Sequence, residues 1–283
     1  MRRGLVTATV LVATAAMGCG AGEEDVIVDH GPAPTPYSGP LYVPMKAMDG
    51  DSQEAVLSES GAAGRALECD GEIHSGGFGA EWGRGEGGST PEEGLKLYFA
   101  IEQPDGPTTG YRRERREDDR VLYSFDVDGR TKVAIVVAKD QKNRPGWGPE
   151  TGASCDPAER PAAFTDSKEY EIWTGRDGKR VATTTLSSHA GAEHCDWQNV
   201  HFLGMGRGAH HRQYVRDPQG VLESELLTAP YDGDVRMPGG AHDTGYRFKG
   251  WRLWLTDDRK TAYVRTPDGV EAWPLLRQSL GCK

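Results

Sequence analysis

The five cysteines of this chain constrain its fold more than any other feature of the sequence. They are spread over almost the whole length of 283 residues, at Cys19, Cys69, Cys155, Cys195 and Cys282. The close Cys-x-x-Cys spacings used by zinc sites are absent, so we expect disulfide bonds and no metal site at these thiols. Disulfide bonds require an oxidising compartment, so this interpretation depends on export of the chain. Because five is odd, at least one thiol has another use.

The first 18 residues have the features of an export signal. Arg2 and Arg3 form a positively charged start, and an apolar stretch follows from Leu5 to Met17. This stretch is too short to span a bilayer comfortably, and Gly-rich polar sequence follows at once, which argues against an uncleaved membrane anchor. We therefore predict a signal peptide over residues 1–18.

The end of this segment resembles the lipobox of bacterial lipoproteins. Gly18 and Ala16 fit that pattern, Met17 departs from it, and Cys19 stands where the lipobox has its acylated cysteine. The resemblance implies a diacylglycerol and palmitate anchor on Cys19 at the extracytoplasmic face of the cell membrane. The alternative is an ordinary cleavage after a site such as Ala13-Thr14-Ala15, which would release a soluble secreted protein.

Acylation of Cys19 leaves four cysteines, for which three pairings exist. We predict Cys69–Cys155 and Cys195–Cys282, because each pair would then bracket one half of the chain. The paired residues are 86 and 87 positions apart. Closing each loop removes roughly 4–5 kcal/mol of chain entropy from the unfolded state. A bridge between the two halves would contradict this two-module interpretation.

The composition favours a loop-rich protein built from short strands. Hydrophobic residues make up only 36% of the chain, which contains 38 glycines and 17 prolines. The formal net charge is −10, and it becomes −12 once Arg2 and Arg3 are removed with the signal peptide. A chain this acidic is not expected to bind nucleic acid or anionic lipid headgroups.

The chain divides into an anchor, a tether and two modules. Residues 19–40 contain several prolines and no periodic pattern, which predicts a lipid-anchored flexible tether. Residues 41–156 form the first module, in which a helix packs on an antiparallel meander. Residues 157–163 connect it to a β-rich sandwich or barrel over residues 164–283. The predicted fold class is therefore α+β.

Turn and capping residues place the elements of the first module. A helix is predicted over residues 52–60 and stopped by Gly61, then extended chain over 65–69 and a mobile Gly-rich loop over 75–89. Thr90, Pro91 and Glu93 have the spacing of a capping box that begins a second helix. The predicted strands are residues 111–117, 120–127, 131–138 and one near Gly152, which would bring Cys155 back to Cys69.

The second module reads as a succession of strands separated by Asp-Gly and Asp-Asp turns. Its predicted strands are residues 168–174, 179–187, 197–203, 212–216, 246–255, 260–265 and 269–274. Five of the seven tryptophans lie here, at Trp173, Trp197, Trp251, Trp254 and Trp273. Exposed tryptophans can stack on sugars or anchor a partner protein. Trp251 and Trp254 should face opposite sides of a strand, so at least one belongs to the core.

No catalytic or cofactor motif is present, and we predict no catalytic residue and no cofactor. Asp243-Thr244-Gly245 is similar to an aspartic protease motif, but it lacks the preceding apolar strand and a second copy, which favours a turn. If the chain is instead a hydrolase assembled from dispersed residues, the first polar groups to consider are His201, His242 and Asp243.

Two further patterns suggest metal binding without matching a known site. His189, His194, His201, His210 and His211 cluster near Cys195, but at spacings that no standard zinc or copper site uses. Asp126-Val127-Asp128-Gly129 starts like a calcium loop and lacks the glutamate that would complete it. We predict a hairpin turn there and no metal site in the chain.

The mature chain also resembles uncharacterised actinobacterial membrane lipoproteins. The resemblance rests on five short segments: residues 67–71, 126–130, 195–197, 214–218 and 273–274. It implies a location and a domain extent, but no activity. We therefore expect an exported, lipid-anchored cell-envelope protein that binds a ligand or protein partner without catalysis, with the junction of the two modules as the default site.

Overall fold

A computed structural model describes residues 28–29, 36–50, 52–78, 82–102, 108–278 and 280. The predicted signal peptide, Cys19 and Cys282 lie outside the described residues. The fold is α+β, as predicted, with short helices and three essentially antiparallel sheets. Within the described ranges, no helix is long and apolar enough to cross a bilayer.

The first sheet has six strands in the order β1-β3-β4-β5-β6-β2, all antiparallel except for the short β1–β3 pair. The elements in chain order are β1 (Val28–Asp29), α1 (Gln53–Glu59), α2 (Gly61–Ala66), β2 (Ile73–Phe78), α3 (Pro91–Glu102), β3 (Tyr111–Arg116), β4 (Arg120–Val127), β5 (Arg130–Gln141) and β6 (Arg144–Cys155). The predicted meander of three strands is confirmed in β3, β4 and β5, and the strand near Gly152 is β6.

Helices cover both faces of this sheet. On one face, Phe99 of α3 packs in a core cluster with Tyr123 of β4. On the other face, Ala63 of α2 packs in a second cluster with Leu122, the preceding residue of β4. Because β5 lies between these two layers, its residues 131–138 are all buried and show no alternation.

The predicted capping box begins α3. Thr90 Oγ1 accepts a hydrogen bond from the Glu93 backbone N–H at 3.2 Å, and Glu93 Oε2 accepts from the Thr90 N–H at 3.3 Å. Pro91 is the first helical residue, where its missing N–H has no cost. The sequence signal and the structure therefore agree at this helix start.

Two predictions for the first module are wrong. Gly61 does stop α1, but its positive φ of 55° turns the chain directly into α2, where extended structure was expected from residue 65. Part of the predicted mobile loop is the edge strand β2, in which Gly76 pairs with Ala153. A side chain at Gly76 would collide with Ser60, so the glycine permits close packing here and does not mark a loop.

The predicted disulfide between Cys69 and Cys155 is present, with the two Cα atoms 5.3 Å apart. It joins the chain after α2 to the end of β6. Cys195 is also disulfide-bonded. Because Cys282 lies outside the described residues, the Cys195–Cys282 pairing stays a prediction.

The rest of the chain forms two smaller sheets that share one core. Its elements are α4 (Ala162–Ser167), β7 (Leu186–Ala190), β8 (His201–Met205), β9 (Arg212–Arg216), β10 (His242–Phe248), β11 (Trp251–Leu255), β12 (Thr261–Arg265) and β13 (Val270–Pro274). The strand orders are β7-β8-β9 and β10-β11-β12-β13. Leu203 of the first sheet and Leu253 of the second lie in the same buried cluster. A bridge between Tyr214 and Leu275 links the sheets at one edge.

Several strand predictions here need correction. Residues 246–255 form two strands, because Lys249 takes a positive φ of 49° and turns β10 into β11. Residues 168–174 and most of 179–187 are not strands, apart from bridges from Thr174 to Arg180 and Arg247. Residues 168–172 instead line a cleft, so the turn signals that flank these segments did not mark strands. The predicted connection over 157–163 contains a 3-10 turn and the start of α4.

Asp156 ties the end of β6 to the second half of the chain. Its Oδ1 accepts hydrogen bonds from the backbone N–H groups of Ala158 and Thr183, both at 2.9 Å. Its Oδ2 accepts from the Thr183 hydroxyl at 2.9 Å and the Thr184 N–H at 3.2 Å. With four donors on one buried carboxylate, the segment after Cys155 is fixed against residues 183–184.

Candidate functional site

A large cleft lies beside α4 and has a volume of about 1180 Å³. One wall is formed by α4 and the polar segment that follows it, which includes Tyr170 and Glu171. The opposite wall comes from the end of β7 and from the turn between β10 and β11, with Phe248 and Lys249. The cleft therefore begins where the predicted module connection ends.

Glu171 at the wall of this cleft is bonded to a histidine from β8. His201 Nε2 lies 2.8 Å from Glu171 Oε2, and the imidazole N–H donates because a carboxylate only accepts. The Ser188 hydroxyl donates to the same oxygen and accepts a 2.8 Å hydrogen bond from Trp173 Nε1. Three separate segments thus build a continuous chain of hydrogen bonds.

This network sets the charge state of Glu171. Burial alone would raise the pKa of the Glu171 carboxyl, but the hydrogen bonds from His201 and Ser188 outweigh burial and bring the pKa below its ordinary value. The two side chains are only 20% and 14% exposed, for Glu171 and His201 respectively. The site therefore presents a carboxylate that is held ionised and fixed in position.

Aromatic rings enclose the histidine. The His201 ring meets Trp251 edge to face at 5.2 Å between centroids, and meets Trp273 at 5.8 Å. Trp251 in turn contacts Trp173 and Trp273. Trp173 and Trp273 are fully buried, so these predicted aromatic candidates build the core behind the site.

Trp254 lies on the opposite side of β11 from Trp251, as predicted. Trp251 belongs to the shared core together with Leu253, whereas Trp254 packs under Arg265, with 5.6 Å between the guanidinium carbon and the ring centroid. Its indole nitrogen is buried and has no hydrogen-bond partner among the described residues. Trp197 contacts Phe202 of β8, which belongs to the three-stranded sheet. The described tryptophans do not form one continuous exposed surface.

The structure does not bring His242 and Asp243 to His201. His242 pairs with Leu255 at one end of β11, whereas His201 contacts Trp251 at the other end. Asp243 forms a two-pronged ion pair with Arg247, at 3.0 and 2.8 Å. This hydrogen bonding lowers the pKa of Asp243. The Asp-Thr-Gly segment lies at a shift in register between β10 and β11, and its aspartate forms an ion pair with Arg247.

The predicted histidine cluster does not converge. Among the described residues, the one group of three possible ligands within metal-binding distance is Cys69, Cys155 and Glu159, and its two sulfurs form a disulfide. His189, His194, His210 and His211 are absent from that group. Asp126 is bonded to Arg112 and to Thr131, and Asp128 has the positive φ of a hairpin turn.

Sequence reasoning found one member of the site and missed the other two. His201 was among the residues to consider, whereas Glu171 lies 30 positions before it in a segment predicted to be a strand. Ser188 has no recognisable motif around it. No linear pattern connects these residues, because their proximity follows from the pairing of β7 with β8 and from the path of the preceding loop.

Comparison of the chain with known protein families, curated proteins and solved structures finds no match.

Proposed function

We propose that this chain is an exported, lipid-anchored envelope protein that binds a hydroxyl-rich ligand, such as a saccharide, in the cleft beside α4. The location rests on the N-terminal sequence that leads to Cys19. The binding function rests on one observation, the fixed Glu171 carboxylate at the cleft wall. Binding and location are separate parts of this proposal and are tested separately.

The chemistry of the cleft fits a polar ligand with a flat apolar side. Both donors from the protein meet Glu171 Oε2, and among the described residues no donor reaches Oε1. Oε1 is therefore the oxygen that we expect to accept from a ligand hydroxyl. Tyr170, next in sequence, is 42% exposed and lines the cleft, so its ring offers a stacking surface. A carboxylate beside an exposed aromatic ring suits the hydroxyls and the flat face of a sugar.

Binding explains the geometry better than catalysis. The Ser188 hydroxyl donates to Glu171 and not to His201, so it is not activated as a nucleophile by the histidine. The His201 ring is enclosed by Trp251 and Trp273, and its Nε2 is occupied by Glu171. The histidine therefore positions the carboxylate.

The test measures calorimetric binding of soluble muropeptides and neutral hexose oligosaccharides to the full-length, detergent-purified protein. We expect saturable binding of at least one saccharide class, weakened about tenfold or more by Glu171→Gln and by Tyr170→Ala, since each removes about 1.4 kcal/mol or more. Tyr42→Ala is the matched control, because Tyr42 is 56% exposed but lies outside the cleft. No binding, or binding unchanged in both cleft variants, would contradict the proposal.

A hydrolase is the second candidate, favoured by the 2.8 Å contact between His201 and Glu171. Any saccharide that binds is incubated with the protein and analysed by mass spectrometry for cleavage products. Cleavage that Glu171→Gln abolishes would replace the binding function with hydrolysis. An intact ligand after prolonged incubation supports binding alone.

A further inference from the structure

A second, smaller cavity, with a volume of about 310 Å³, is lined by the hairpin between β4 and β5 and by the segment that follows β6. Its lining includes the basic residues Arg130, Lys132, Arg160 and Arg180, together with the acidic residues Asp70, Asp128 and Glu159. The ion pairs on this lining are distributed unevenly, because they involve Arg130 and Lys132 but neither Arg160 nor Arg180.

Arg130 and Lys132 already have their counter-ions. Asp70 pairs with Arg130 and also with Lys132, at 3.2 Å. Glu159 accepts from Lys132 Nζ at 2.5 Å. The remaining acid, Asp128, is exposed in the turn between β4 and β5. Asp70 and Glu159 thus supply one carboxylate for each of these two cations, and Asp128 adds a third negative charge to the lining.

Arg160 has no such partner. The residue is 5% exposed, and its Nε is buried without a hydrogen-bond partner among the described residues. The groups that act on its charge are tyrosine hydroxyls, chiefly that of Tyr111, and not carboxylates. One face of the guanidinium lies on the Phe164 ring, 3.4 Å from its centroid, with Phe125 at 5.5 Å. Ring contacts stabilise the flat face of the cation but do not supply a negative charge to neutralise it.

Arg180 is a second cation on the lining of this cavity. Its Nη1 donates to the Arg160 backbone carbonyl, and its Nη2 donates to Thr165 Oγ1 at 2.8 Å. Both acceptors are neutral. Burial lowers the pKa of both arginines; only tyrosines oppose this effect at Arg160, and at Arg180 the attraction of Asp166 and Asp156 offsets it only in part.

We propose that the cavity between Arg160 and Arg180 binds a small oxyanion, either a phosphate or a carboxylate group. A buried cation without a counter-ion is costly, and an anion from solution removes that cost. The planar arginine fork matches the paired oxygens of phosphate and carboxylate better than it matches chloride. The site is separate from the saccharide cleft and does not depend on the function proposed there, although Arg180 borders both.

The experiment titrates the full-length protein with inorganic phosphate and with acetate, at constant ionic strength maintained with chloride, and follows the thermal unfolding midpoint. We expect a saturable rise of the midpoint with at least one oxyanion, because a ligand that binds only the folded state stabilises it. The phosphate and acetate arms distinguish the two sources of the anion. A midpoint that does not respond to either, relative to chloride, would overturn the proposal.

Variants assign the effect to the cavity. Arg180→Gln should weaken the saturating oxyanion about tenfold or more, and Arg180→Lys, which retains charge but loses the planar fork, should weaken it less. Arg252→Gln is the control, because Arg252 is an exposed arginine on β11. If Arg180→Gln does not fold, the Arg180→Lys titration decides. Equal responses in wild type and both Arg180 variants would assign the effect to a different surface and overturn the site.

Discussion

His201 and Glu171 are 30 residues apart in the sequence, yet His201 Nε2 lies 2.8 Å from Glu171 Oε2. The contact joins β8 to the loop after α4 and holds a carboxylate at the wall of the large cleft beside α4. Because Ser188 donates to the same oxygen, the carboxylate keeps one orientation. This fixed acceptor is the feature from which the proposed function follows.

The stability of the protein should depend on the ionisation of Glu171. The pKa of Glu171 is lowered in the folded state. The ionised carboxylate therefore stabilises the fold fully at pH values above the ordinary pKa of glutamate, and this stabilisation is lost as the pH falls through the folded-state pKa. Glu171→Gln should therefore lower the free energy of unfolding by about 1–3 kcal/mol at neutral pH, and by much less in acid. Urea denaturation over a pH series measures this difference.

The matched control is Glu169→Gln, which alters an exposed glutamate two positions earlier. It should change stability by less than about 0.5 kcal/mol at any pH. If Glu171→Gln shows the same loss at acidic and neutral pH, the hydrogen bonds do not depend on the carboxylate charge, and our account of the site is wrong.

Asp156 should be among the most sensitive positions of the chain. Its replacement by alanine leaves up to four donors without their acceptor, including the N–H groups of Ala158, Thr183 and Thr184. A loss of about 3 kcal/mol in unfolding free energy is expected, since buried unsatisfied groups each cost about 1–3 kcal/mol and partial rehydration offsets some of the total. Asp118→Ala, at an exposed turn, serves as the control in the same denaturation measurement. Equal effects of the two substitutions would show that Asp156 does not fasten the two halves.

The meander and its helix were predictable because local signals and the fold agree. Thr90 and Glu93 are close in sequence, and Asp128 with Gly129 turns β4 into β5 without help from distant residues. The Cys69–Cys155 disulfide was predictable because few pairings exist.

The missed features depend on contacts between distant segments. Gly76 looks like a loop glycine, but it lies in the strand β2. Glycine is required at this position because Ser60 occupies the space that a side chain would need. Glu171 and Ser188 became visible as a site only when the loop after α4 was placed beside β7 and β8. Neither relationship leaves a period or a motif in the sequence.

The second disulfide of the chain can be identified by peptide mapping. Non-reducing peptide mapping should recover Cys69–Cys155, which the structure contains, and the predicted Cys195–Cys282. Replacing Cys69 and Cys155 together with serine should lower the unfolding free energy by about 2–5 kcal/mol, because the open 86-residue loop gains freedom in the unfolded state. Recovery of a Cys19–Cys195 peptide would refute both the predicted pairing and the lipid on Cys19.

The membrane anchor is tested at Cys19 itself. If Cys19 carries the lipid, Cys19→Ser should release the protein from the membrane fraction or block its maturation, because the acylated thiol is lost, while the Cys69–Cys155 bridge still forms. Cell fractionation, with mass spectrometry of the N-terminal peptide, measures both results, and Gly20→Ser is a neighbouring control that should behave as wild type. An unmodified N-terminus at Ala16 in the wild type would instead identify an ordinary signal peptide cleaved after Ala15. Membrane retention of a normally processed Cys19→Ser protein would refute the anchor.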